Sequence, residues 1–243
     1  MTKNIVWKII GLEVLLMVFY TGNGAYSTIT EPTNPVLQFI GLVPLALGIF
    51  FYLTWNRKWD TYFFCIKLTK KSLFFFFPLL IILILIVIGN KGLNLSSLSN
   101  VFLMFIMQVL IVAFIEETFF RGFMLKMLLY KGMKNAVILS SFLFGITHML
   151  QLIGGQSLKE TIIQIIYAFL VGLVLSLLII NNQSILLTIS FHGLNNFLNF
   201  MGNVEASPLY PILIIVILFV YTIFLWKRMN KSKNTHQDLT FLV

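Results

Sequence analysis

Residues 101–126 read VFLMFIMQVLIVAFIEETFFRGFMLK. The first fifteen positions carry no charge, and then Glu116, Glu117 and Arg121 arrive within six residues. About 20 mostly apolar residues suffice to cross a hydrocarbon core of roughly 30 Å, so the stretch reads as a transmembrane helix. Three ionisable groups at its far end are costly there unless paired or hydrated, which makes them candidates for function. Whether the fold is a membrane bundle built around these charges depends on what flanks the stretch.

Outward from it, seven more apolar runs qualify. The full set is Ile5 to Tyr20, Val36 to Trp55, Ser72 to Gly89, Val101 to Phe120, Ala136 to Ile153, Thr161 to Ile180, Ser184 to Phe200 and Leu209 to Trp226. The composition agrees. Of 243 residues, 59% are hydrophobic and 10% charged, against about 25% charged in soluble domains, which excludes an ordinary water-soluble protein. The net charge of +9 would suggest nucleic acid in a soluble chain. Here the basic residues lie between apolar runs, so a lipid surface is the expected anionic partner and no nucleic acid is expected. A single cysteine, Cys65, allows neither an internal disulfide nor a sulfur-based metal site.

With a cytosolic amino terminus and all eight runs crossing, fifteen basic residues fall on or toward the inside and only Lys91 and Lys159 outside. This is the asymmetry that positive-inside orientation requires. The expectation is therefore an all-α, polytopic membrane protein of about eight transmembrane helices with both termini cytosolic. It forms one membrane domain over 1–243, with a catalytic core at 101–200 and a polar tail at 227–243 that includes His236. Gly22 to Pro35, Asn90 to Asn100 and Gly154 to Glu160 read as outer loops. The aromatic and basic stretch Asp60 to Lys71 reads as an interfacial segment or a solvated loop.

Of the ionisable residues inside spans, Glu13 stands near Lys8 and reads as half of an interfacial charge pair. The other five form a pattern. Glu117 and Arg121 are four apart and can pair along one helix face. Glu116 is rotated by about 100° from Glu117 and stays available. His148 closes Phe144-Gly-Ile-Thr-His148, and His192 and Asn196 share a face four residues apart. At about 1.5 Å per residue, Glu116, His148, His192 and Asn196 can all lie at one depth, about 12 to 22 Å from the inner ends of their helices. Such a set suits hydrolysis by an activated water. Glu116 would take and return the proton, His148 would share that task, and His192 with Asn196 would donate to the oxyanion. Alternatively Glu116, His148 and His192 would ligate a divalent metal such as zinc; the residues leave open whether a metal is used. No serine- or cysteine-nucleophile motif is present.

Glu116-Glu117-x-x-x-Arg121, Phe144-x-x-x-His148 and His192-x-x-x-Asn196, in that order on separate apolar segments, resemble the CPBP family. This family is also called Abi, or CAAX protease and bacteriocin-processing, and includes the type II CAAX prenyl endopeptidases. The resemblance covers Val101 to Phe200. It implies an intramembrane endopeptidase in which Glu116, His148, His192 and Asn196 are catalytic, with Glu117 and Arg121 supporting. The partners it implies are the bilayer and a peptide or lipidated-peptide substrate; the nearness of the site to the basic flank suggests access from the inner side or laterally, and fourteen Lys to three Arg suggest a bacterial cell membrane. A non-catalytic relative, acting in bacteriocin self-immunity or as a transporter-like binding protein, is the other functional class such buried charges serve.

Overall fold

The computed structural model describes residues 2–67 and 69–234. His236 and the rest of the expected tail beyond Asn234 lie outside the described residues. Among the described residues the chain forms eight longer helical rods: α1 (Thr2–Thr30), α2 (Val43–Trp55), α3 (Lys70–Gly89), α4 (Leu98–Lys131), α5 (Met133–Thr147), α6 (Leu158–Ile180), α7 (Ile185–Phe200) and α8 (Leu209–Asn234). Among the described residues there are no strands beyond one isolated bridge, Leu93 to Gly202. Six rods are long and apolar enough to cross a membrane: Asn4–Thr30, Ser72–Gly89, Leu98–Lys131, Met133–Ile153, Leu158–Ile180 and Leu209–Lys231. The protein is thus an all-helical, multi-pass integral membrane protein. The two remaining expected spans are shorter.

Local sequence explains both short rods. Between Val36 and Trp55, a four-residue helix capped by Asn34 gives way to a 3-10 turn at Ile40–Leu42, and Pro44 then opens α2. α7 is only 16 residues long, begins at its Ser184 cap and is buried along much of its length. The first span departs the other way. Helix continues through Gly22 and Gly24 to Thr30, where a loop was expected, and the chain turns at Glu31 with φ +43°. Glycine is tolerated in membrane helices, where backbone groups left unpaired would be costly. The last helix likewise runs past Lys227 into the expected tail. Between α4 and α5, Gly132 turns the chain at φ +89°, a conformation open to glycine at no steric cost.

Contacts tie the rods together at two ends. At one end Ile185 N donates to Phe63 O at 3.1 Å, Asn181 Nδ2 to Leu225 O at 3.4 Å and Tyr221 Oη to Phe75 O at 2.6 Å. At the other, Asn94 N donates to Met201 O at 2.7 Å, Asn90 Nδ2 to Leu198 O at 3.1 Å and Gly41 N to Asn23 Oδ1 at 3.0 Å. The first end carries Arg57, Lys58, Lys126, Lys131, Lys134 and Arg228, and the second carries Lys91 and Lys159. α6 is the most enclosed long rod, with 61% of its apolar window buried. It packs between α5 and α8, and its Gly172 brings the backbone so close to Ser141 that a Cβ would lie 3.0 Å from that residue's Cα.

Candidate active site

α4 is not a uniform helix. A single α turn, Phe114–Glu117, sits between two π segments, Met107–Ala113 and Thr118–Met124. π turns widen the helix, occur often at functional sites and change which way the following side chains point. The carbonyl of Phe120, within the second π segment, is taken up by Ser140 Oγ from α5 at 2.7 Å. A buried carbonyl freed from the regular ladder needs such a partner.

This turn directs Glu117 into the protein interior and Glu116 toward a cavity. Glu117 Oε1 accepts from Arg121 Nη1 at 2.9 Å, with both side chains fully buried. The same oxygen accepts from His192 Nδ1 of α7 at 2.8 Å. Because a carboxylate oxygen only accepts, Nδ1 of His192 carries the hydrogen and Nε2 is turned toward Glu116 Oε2, 3.5 Å away. The expected Glu117–Arg121 pair is present. Glu117 also reaches across to fix a histidine on another helix, a contact that its spacing from Arg121 does not reveal.

His148 ends α5. Its Nδ1 donates to Phe144 O at 2.9 Å, so Nε2 is the nitrogen left free for substrate, a proton or a ligand. The Phe144 ring lies at the centre of the cluster. The guanidinium of Arg121 stands over its face at 4.1 Å from the centroid, and the rings of His148 and His192 meet it edge-on at 5.1 and 5.5 Å. One aromatic therefore spaces both imidazoles and holds the cation that Glu117 pairs. Asn196 is half-buried, and its Oδ1 accepts from Asn195 Nδ2 at 3.4 Å, leaving its own amide hydrogens free. Asn195 is in turn held by the Tyr167 hydroxyl of α6.

Glu116, His148, His192 and Asn196 all line one cavity of about 840 Å³. Its lining also includes the exposed Glu160 and Glu205. On the side of the basic flank, Phe119, Phe120, Arg121 and Met124 are buried. A second cavity of about 460 Å³ runs between α1 and the end of α5, lined by Leu16, Tyr20, Gly24, Thr28, Leu150 and Ile153. The two cavities share Glu116 and His148. Among the lining residues outside the motifs are Tyr20 and Gln108. Tyr20 of α1 has a buried hydroxyl with no partner, and Gln108 is fully buried with its Oε1 unpartnered. An aromatic in a weak first helix and a lone amide in an apolar run carry no periodic signal.

Among the described residues no three of His, Cys, Asp and Glu gather closely enough to hold a metal ion.

A family model described as Type II CAAX prenyl endopeptidase Rce1-like matches residues 98–198. The match runs from the start of α4 almost to the end of α7 and contains all six expected site residues. No curated protein and no solved structure matches the chain. Over this stretch the chain is similar to the Rce1-like type II CAAX prenyl endopeptidases, the family that the three motifs resemble.

Proposed function

We propose that the protein is an intramembrane endopeptidase that cleaves a small membrane-associated peptide with a water activated at Glu116. The observation that carries this reading is the polar group at the end of a deep cavity, where Glu116, His148, His192 and Asn196 arrive from three helices. Glu116 removes a proton from water as the oxygen attacks the scissile carbonyl carbon. The proton passes to the leaving amine as the C–N bond breaks, with His148 Nε2 in position to share the transfer. His192, held through Nδ1 by Glu117, and Asn196, whose amide hydrogens are free, donate to the oxyanion.

The distribution of basic residues supports eight crossings with the Lys-rich end and both termini cytosolic. The large cavity then opens on the outer face, and the apolar second cavity opens toward lipid between α1 and α5. An amphipathic substrate fits this pair, with its apolar portion in the second cavity and its polar portion in the first. A lysine-rich basic set and a single small membrane domain favour a bacterial cell membrane. The test is cleavage of candidate precursor peptides by the purified protein in lipid vesicles, with and without chelator. Glu116→Gln is expected to insert normally and to cleave nothing. Equal cleavage by this variant and the parent refutes the reading, and the chelator arm separates metal-assisted from carboxylate-driven hydrolysis.

A further inference from the structure

The family match begins at residue 98, yet one side chain at the site comes from well before it. Tyr20 of α1 lines both cavities beside Glu116 and His148. Its hydroxyl is buried and faces the Glu116 carboxylate without completing a hydrogen bond to it. A buried hydroxyl without a partner costs roughly 1–3 kcal/mol, so its retention calls for an explanation. The carboxylate has a complementary gap. Oε2 of Glu116 is turned toward His192 Nε2 at 3.5 Å, a long contact, and no other ion pair fixes the group. A general base held from one side only can rotate about its last torsion, and misplacement of a catalytic group by about 1 Å can cost about a hundredfold in rate.

We propose that Tyr20 is a positioning residue for Glu116, its phenol donating to the carboxylate oxygen turned away from His192. α1 is the least embedded of the six long helices, with 6% of its apolar window buried. A small inward movement of α1 closes the remaining gap as substrate fills the lateral cavity. The first helix is therefore part of the working site, and its docking over substrate completes the hydrogen bonding of the base. This inference rests on Glu116 acting as the base.

The experiment compares the full-length parent, Glu116→Gln, Tyr20→Phe and Val18→Ala in vesicles, with kcat and KM measured for one cleaved peptide and unfolding followed alongside. Val18 is on the same helix and exposed, so it reports general disturbance of α1. Tyr20→Phe is expected to lower kcat about 10- to 100-fold, the loss typical of a hydrogen bond to a charged group. KM should stay within about twofold, with unfolding and the Val18→Ala variant unchanged. An unaltered kcat in Tyr20→Phe, a change confined to KM, or an equal loss in Val18→Ala overturns the proposal. If Glu116→Gln is inert while Tyr20→Phe matches the parent, the positioning role alone fails. If Glu116→Gln cleaves as well as the parent, the proposed function fails with it.

Discussion

Replacing Arg121 by leucine tests whether the charges beneath the site act as one unit. Arg121 and Glu117 are both fully buried and 2.9 Å apart, and the guanidinium also lies over Phe144 at 4.1 Å. Removing one member of a buried pair commonly costs about 3–5 kcal/mol, because a charge is left without its counterion. A desolvated cation–π contact adds up to about 2 kcal/mol. Glu117 would keep one partner, His192 Nδ1 at 2.8 Å, so the expected loss lies near the lower end, about 3 kcal/mol. Glu117→Leu should cost at least as much, since it strands both Arg121 and His192, and Arg121 Nε and Nη2 already lack hydrogen-bond partners. In Arg121→Leu/Glu117→Leu no uncompensated charge remains in the pair. The double variant should therefore be destabilised by at least about 1.5 kcal/mol less than the sum of the single losses. Reversible unfolding in mixed micelles measures all four proteins. Arg121→Leu within about 1 kcal/mol of the parent, or additivity within about 0.5 kcal/mol, refutes the coupled-charge argument.

Three further outcomes are expected. Asn196→Ala should lower kcat by about 10²–10³ with little change in unfolding, the loss seen when one oxyanion donor is removed; undiminished turnover would remove Asn196 from the site. Gly193→Val should destabilise strongly, because even a Cβ at this position would lie 2.7 Å from the Cα of Val109 on α4, and such overpacking costs about 1–3 kcal/mol or more. A normal melting profile for this variant would show that α7 and α4 are not in such close contact. Tyr167→Phe, which releases Asn195, should reduce activity less than Asn196→Ala, as assayed on the same peptide, and an equal loss would assign Asn195 a direct role.

The sequence makes the rods and the motif residues legible for the same reason: apolar runs of membrane length are long signals, and ionisable groups inside them stand out. Counting 1.5 Å per residue along ideal helices brings Glu116, His148, His192 and Asn196 to one level, and the structure does gather them around one cavity. The count survives the two π segments in α4 because they flank the Glu116 turn and change direction more than depth. Direction is what composition cannot supply. That Glu117 faces His192 as well as Arg121, and that Phe144 spaces both imidazoles, depends on helix rotation set by packing against α5 and α7.

Tyr20 marks the limit of motif reasoning in another way. The three motifs lie on α4, α5 and α7, and each explains its own helix. α1 contributes no motif, and Lys8 and Glu13 stand inside its apolar run. Yet the lateral cavity exists only because α1 stands beside α5, with Gly24 and Thr28 one and two turns beyond Tyr20 on the same face. A chain lacking α1 would open the Glu116 carboxylate directly to lipid, where an unpaired charge is costly. The helix that looks most dispensable in the sequence is, on this argument, the one that keeps the site hydrated on one side and sealed on the other.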